Sequence, residues 1–200
     1  MNQAIRKIYL ASQSPRRREL LRQVGVEFEL LLNDVEVNED VAPGEAPRDY
    51  VERVTLEKAE RARQTMLHRQ LPVRPVLAAD TTVVIDDLIL GKPADPAEAM
   101  QMIRRLSGRT HQVLTSIAVA FNEQLWQITQ SSDVVFDTLP ESLVAAYCAT
   151  PEPYDKAGGY GIQGPAAIFI ASISGSYSGI AGLPLFETVQ LLQKAGVHIL

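Results

Sequence analysis

The sequence predicts an α/β fold: a mixed, twisted β-sheet flanked by helices, with a long antiparallel arm. Three observations carry that reading. Short apolar runs alternate with segments of helical period. Two pairs of apolar runs are joined by only two residues each, Asp86-Asp87 and Asn122-Glu123. Connections that short make their strands antiparallel, so the sheet is not wholly parallel. Finally, 200 residues are enough for one substantial core or two small lobes.

Composition narrows the functional classes. The formal net charge of −5 argues against bulk nucleic-acid binding. A polyanionic ligand would need local basic groups or a metal ion to overcome that field. No apolar run is long enough to span a bilayer. The start, MNQAIRKIYLAS, lacks the apolar centre of a signal peptide. Cys148 is the one cysteine, which excludes an internal disulfide and suits a reducing cytosol. It falls in an Ala-rich helical stretch and reads as a small core residue.

The elements follow in order. Residues 8–11 are apolar and form the first strand. Ser12-Gln13-Ser14 turns the chain into a helix at Pro15, with Ser14 as N-cap and Pro15 at the first position. Gly25 stops that helix, and residues 28–32 form a second strand. Residues 33–45 are acidic and without period, a loop. A long helix spans 47–68, with Val51, Val54, Ala62 and Met66 as its buried stripe. Residues 76–79 are a strand that ends at Asp80-Thr81-Thr82, resumes at 83–85 and returns at 88–90. Asp95-Pro96-Ala97-Glu98 is a capping box opening a helix with Ala99, Met102, Ile103 and Leu106 inward. Residues 113–121 form a long strand, 125–129 pair back on it, and 134–136 extend the arm. His111, beside it, reads as hydrogen-bonded structure. Thr138 to Glu141 reads as a second capping box, opening a helix through Cys148. Residues 155–164 carry four glycines, a loop that lets backbone approach a ligand closely. Residues 166–174 read as a strand, 175–182 as a second glycine loop, and Pro184 opens a last helix with Leu185, Val189 and Leu192 inward. A short final strand runs to Leu200.

Several residues stand out against this pattern. Three arginines fill the first turn of the first helix, where the helix dipole favours acids. Arg17 falls three and four residues before Leu20 and Leu21, on the inward stripe. Arg16 lies at its edge, and Arg18 and Arg22 face solvent. A helix start with hydroxyls and inward arginines suits an anion. Lys58 sits in the middle of the long helix's buried stripe, where it must snorkel, pair or meet a ligand. Asp80 breaks an apolar strand, a common place for a general base or metal ligand. Lys92 adds a cation in a Gly-Lys-Pro turn. Basic groups with carboxylates, and no histidine–cysteine arrangement, suit a phosphorylated small molecule.

These segments also carry a resemblance. LASQSPRRRELL (10–21), Glu57-Lys58-Ala59, Ala79-Asp80-Thr81, Gly91-Lys92-Pro93, Leu106-Ser107-Gly108 with Thr110-His111, residues 155–164, and Gly182-Leu183-Pro184 together resemble the Maf family of nucleotide pyrophosphatases, in family order over nearly the whole chain. The resemblance implies a single domain over 1–200, an active-site cleft between two lobes, and a homodimer. It implies hydrolysis of a nucleoside triphosphate to the monophosphate and pyrophosphate with a divalent cation, Mg2+ or Mn2+, in the cytoplasm, without nucleic-acid or membrane partners. The family's catalytic aspartate falls on Asp80. Its phosphate-binding residues fall on Ser12, Arg17, Lys58 and Lys92, and its metal ligands on Glu36 and Asp80. Arg16, Thr81 and Gln163 match the markers of the subgroup acting on dTTP, UTP and modified uridine triphosphates. Thr82 departs mildly from the pattern, where a larger apolar residue is common. The alternative is a nucleotide-binding regulator of cell division or septum formation with little turnover. The inward basic groups fit that reading, whereas a buried carboxylate favours catalysis.

Overall fold

The computed structural model describes residues 5–32 and 37–199. Seven strands form a mixed open sheet in the order β2-β1-β3-β5-β6-β7, with β4 paired to β3. The strands are β1 (Lys7–Leu10), β2 (Glu27–Leu30), β3 (Val76–Ile85), β4 (Leu88–Leu90), β5 (Thr110–Phe121), β6 (Gln124–Phe136) and β7 (Ile170–Ser174). The helices are α1 (Pro15–Gln23), α2 (Pro47–His68), α3 (Pro96–Leu106), α4 (Glu141–Cys148), α5 (Tyr177–Ile180) and α6 (Leu185–Lys194). β1 pairs in parallel with both β2 and β3, whereas β3–β4 and β6–β7 are antiparallel. The expected α/β class with a mixed sheet is the one observed. No described helix is long and apolar enough to cross a membrane.

The chain divides into two compact units, residues 1–80, 115–130 and 182–200 in one and 81–114 and 131–181 in the other. In the first unit, α2 lies on the sheet through Ala59, Ala62 and Met66, packed with Tyr9, Val76, Ala78, Ala118 and Ala120. Small residues on both sides allow a close approach. In the second, α3 contributes Ala99, Met102, Ile103 and Leu106 to a core that also holds Phe136, Tyr147, Tyr160 and Phe169. Their rings meet edge to face, with Phe136 4.8 Å from Tyr160 and Tyr147 4.9 Å from Phe169 between centroids. Cys148 is buried with them, as the sequence implies.

Local signals explain most boundaries. Gly25, at φ +71°, ends α1, and the amides of Gly25 and Val26 turn back onto Arg22 and Leu21. The β3–β4 turn places Asp86 and Asp87 at φ +53° and +58°, the primed turn that a two-residue hairpin needs. Asp95 caps α3 by accepting the Glu98 amide at 2.9 Å, while the Glu98 carboxylate accepts the Ala94 amide.

Six expectations need correction. β3 is continuous through Asp80, because the apolar residues on either side are buried in one strand. The Thr138 box does not form. Pro140 is the N-cap of α4, since the residue before a proline is driven out of helical conformation, which keeps Leu139 from starting the helix. Residues 165–169 form a tight 3-10 turn before β7 rather than strand. The second glycine loop contains α5, capped by the Ser176 hydroxyl on the Gly179 amide. The last strand reduces to one parallel bridge, Ile5 with Val197, and α6 buries Thr188, Leu191 and Leu192, one step round from the expected face.

His111 is structural, as expected. Its Nε2 lies 2.6 Å from the Tyr160 hydroxyl, and its ring packs edge-on to Phe136. Burial pushes the imidazole down to about 4 and the Tyr160 phenol up. The unfolded chain therefore binds a proton between the ordinary histidine value and about 4 that the folded chain refuses. Stability is full above the unfolded value and falls as pH drops through that window, by roughly 3 kcal/mol at most. Urea unfolding at pH 7.5 and 4.5 is expected to show a steeper loss for wild type than for His111→Gln. Equal slopes would assign the acid sensitivity elsewhere.

Candidate active site

The first unit gathers most of the residues singled out by the sequence. After β1 the chain stays tied to β3, with the Ala11 amide on the Leu77 carbonyl at 2.8 Å. Ser12 follows, buried. Its hydroxyl accepts from the Ser14 amide at 3.3 Å and from Arg17 Nη1 at 3.1 Å. Arg17 Nε donates to the Gly182 carbonyl at 2.8 Å. The guanidinium is thus fixed from two sides at the start of α1. Burial lowers its pKa and Arg16 adds to that effect, while Asp80 and Glu39 pull the other way.

Strand alternation and helix period bring Lys58 and Asp80 together. Val76 and Ala78 face α2, and Asp80 is the next residue of β3 on that face. On α2, Lys58 lies one turn from the buried Val54 and Ala62. Lys58 Nζ meets Asp80 Oδ1 at 2.7 Å. It also meets Glu39 Oε1 at 2.6 Å. One ammonium therefore bridges two carboxylates. Asp80 is the enclosed partner, its side chain 13% exposed against 49% for Glu39. Thr81 points to the opposite face of β3 and is half-buried.

Glu39 was not singled out by the sequence. It lies in the acidic loop, where no period marks an inward position. The nearest signal is its placement before α2, whose inward Lys58 lacked a partner. The expected metal ligand Glu36 lies outside the described residues. Two expectations for α1 change. Ser14 occupies the N-cap position, yet its hydroxyl does not cap α1, and the hydroxyl of Ser12 takes the Ser14 amide instead. Arg18, expected to face solvent, is half-buried with its Nε shielded, as a long stem folding onto the protein surface allows. Arg22 is exposed and stacks over Phe28.

In the second unit, Lys92 is exposed in the turn after β4. Gln163 is exposed in the glycine loop. That loop is held from beneath. Gly158 donates to the Gly91 carbonyl at 2.9 Å, and the Tyr147 hydroxyl donates to the Gly159 carbonyl at 3.0 Å. Gly158, at φ +69°, leaves no room for a side chain, since a Cβ there would lie 2.9 Å from Val83.

The donor set fits a hard divalent cation. Asp80 and Glu39 already converge on one positive charge, and carboxylate oxygens are the ligands such ions prefer. No cluster of three or more His, Cys, Asp or Glu that could hold a metal occurs among the described residues. Two carboxylates suit an ion that completes its shell with phosphate oxygens and water.

Comparison with known proteins identifies the family. A family model described as Maf-like protein matches residues 7–195. A dTTP/UTP pyrophosphatase of Ralstonia nicotianae is 54% identical over 197 residues, covering 96% of this chain and 95% of that protein. One from Aromatoleum aromaticum is 51% identical over 197 residues, covering 95% and 96%. One from Cupriavidus metallidurans is 52% identical over 195 residues, covering 96% and 98%. The chain belongs to the Maf family.

Removing the bridging ammonium tests the site's electrostatics. Lys58→Met leaves the enclosed Asp80 without its cation and is expected to lose about 1–3 kcal/mol of unfolding free energy, less than for a fully buried pair. Adding Asp80→Asn should restore part of that loss. Urea denaturation reads both, and a double variant weaker than the sum of the singles would overturn the coupling.

Proposed function

We propose that this Maf-family protein is a nucleoside triphosphate pyrophosphatase. It hydrolyses dTTP and UTP, with modified uridine triphosphates, to the monophosphate and pyrophosphate, and so cleanses the cytoplasmic nucleotide pool. The observation that carries the reading is the near full-length identity of 51–54% to proteins named dTTP/UTP pyrophosphatase. The local chemistry supports it: an anchored arginine at a helix start, a lysine shared by two carboxylates, and a carboxylate on a central strand. A homodimer belongs to the same proposal and rests on the family resemblance alone.

The roles follow from the residues. Asp80 and Glu39 would hold a divalent cation, Mg2+ or Mn2+, which when bound neutralises phosphate charge, with Glu36 of the same loop as the further ligand that the family resemblance implies. Asp80 also accepts a proton from the attacking water, a task suited to a carboxylate enclosed beside a cation. Lys58 pairs with Asp80 and orients it. Arg17, anchored by Ser12 and Gly182, presents fixed positive charge where a polyphosphate needs it. Lys92 adds a mobile cation for the departing pyrophosphate. Arg16, Thr81 and Gln163 select the pyrimidine nucleotide, where the Gln163 amide can match a donor–acceptor pair on the base.

Pyrophosphate release from dTTP with Mg2+ is the direct test. Asp80→Asn is expected to lower kcat by about 10²- to 10⁴-fold while nucleotide still binds. Gln163→Ala is expected to erode the preference for dTTP over methylated GTP more than it lowers kcat. Binding of dTTP without pyrophosphate release in the wild type would make the protein a nucleotide-binding regulator. Equal turnover of dTTP and methylated GTP would overturn the pyrimidine assignment.

A further inference from the structure

Glu39 is half-exposed and sits in a loop without regular structure. An ion pair in that setting contributes little and does not by itself hold a loop in place. The loop is nevertheless fastened at successive residues by side chains of α2. The Tyr50 hydroxyl donates to the Glu39 carbonyl at 3.1 Å. Arg53 donates from Nη2 to the Asp40 carbonyl at 3.0 Å and from Nη1 to the Asn38 carbonyl at 3.4 Å. The carbonyls of three consecutive residues, 38, 39 and 40, are therefore taken by two side chains one turn apart.

Arg53 also grips the far end of the loop. Its Nε and Nη2 meet Glu45 Oε1 and Oε2 at 2.6 and 3.0 Å, a two-point guanidinium–carboxylate pair. Glu45 Oε2 in turn accepts the Ala42 amide at 2.9 Å. This pairing holds the Glu45 carboxyl down at about 2, through the Arg53 contact first and the Ala42 amide second. The Arg53 guanidinium lies 5.7 Å from the Tyr50 ring centroid, so the two braces also support each other. Lys58, which receives the Glu39 carboxylate, lies further along the same helix. α2 thus carries both the cation that Glu39 meets and the clamps that aim it.

We propose that Tyr50 and Arg53 are positioning residues for Glu39: they fix the 38–45 loop on α2 so that the Glu39 carboxylate is presented beside Asp80. Neither residue touches the reacting atoms. The inference rests on the proposed reading of Asp80 and Glu39 as the ligands of a divalent cation. Arg53→Lys keeps the charge but does not reproduce the four planar contacts to the loop. A glutamine at position 45 keeps the shape but loses the charge-assisted pair.

The test uses the full chain and Mn2+ alone, read from the loss of the free-ion paramagnetic resonance signal. Amide exchange of residues 37–45 is measured alongside. Arg53→Ala is expected to weaken Mn2+ binding by about 10- to 100-fold, the range for partners that orient metal ligands. It should also speed exchange in the loop and leave KM for dTTP at saturating Mn2+ near the wild-type value. Tyr50→Phe removes one hydrogen bond and should weaken Mn2+ binding by about fivefold. Arg53→Lys should not rescue the loss. Combined with Glu39→Gln, Arg53→Ala should add nothing further, because the brace acts only through that carboxylate. If Arg53→Ala does not fold, Tyr50→Phe and Glu45→Gln carry the same test. Wild-type Mn2+ affinity in these variants, or additive losses with Glu39→Gln, would overturn the brace. A wild type that neither binds Mn2+ nor releases pyrophosphate would instead overturn the reading of the site itself.

Discussion

The contact on which the rest of the site depends is the ammonium of Lys58, shared by Asp80 and Glu39. Its position is set far from any chemistry. Small residues let α2 lie close on the sheet, and the alternation of Val76, Ala78 and Asp80 turns the third of these toward the helix. At position 58 the lysine meets a carboxylate that is itself enclosed, so losing the partner is expected to be destabilising. The ammonium compensates two carboxylates at once, one of them enclosed, and in the proposed function it stands where a metal ion and a polyphosphate would bring competing charges.

A site of this kind needs its charges fixed before the substrate arrives, because reorganisation during the reaction raises the barrier. The protein uses backbone carbonyls for that purpose. Gly182 holds Arg17, and the carbonyls of residues 38–40 are taken by Tyr50 and Arg53. Backbone partners move less than side chains, so the fold itself helps aim each guanidinium, alongside the side chains of Ser12 and Glu45. The glycine loop that carries Gln163 follows the same rule, through the Gly91 and Gly159 carbonyls.

The legible part of the structure is the part governed by period. The bounds of α2 are the expected ones, since Pro47 opens it and its apolar stripe persists to Met66. The same period made Lys58 anomalous, and the run of apolar residues made Asp80 so. Both anomalies prove to be one contact. Glu39 was illegible because its position depends on tertiary contacts with α2, and nothing in NDVEVNEDVAPGE distinguishes one acid from the next. Capping rules succeeded where the cap faced solvent, at Asp95. They failed at Ser14, which occupies the N-cap while its hydroxyl makes no cap contact, and at Thr138, where Pro140 forbids the helical step.

The Thr138 cap fails for a local reason, whereas Glu39 escapes notice for a distant one. Propensity describes what a segment prefers alone, while Ser12 and Glu39 take part in networks that reach beyond their own segments. Ser12 serves Arg17, whose other anchor is 165 residues away. Glu39 is fixed by a helix that begins after the loop ends. Such residues carry no local signature, but their partners do: an inward arginine and an inward lysine each violate the burial rule for charged side chains. Each violation therefore points to a missing acceptor. Arg17 finds a hydroxyl and a carbonyl, and Lys58 finds two carboxylates. The productive question for an inward charge in an α/β chain is which distant acceptor the strand alternation delivers to it, since that pairing, rather than the charge itself, locates the chemistry.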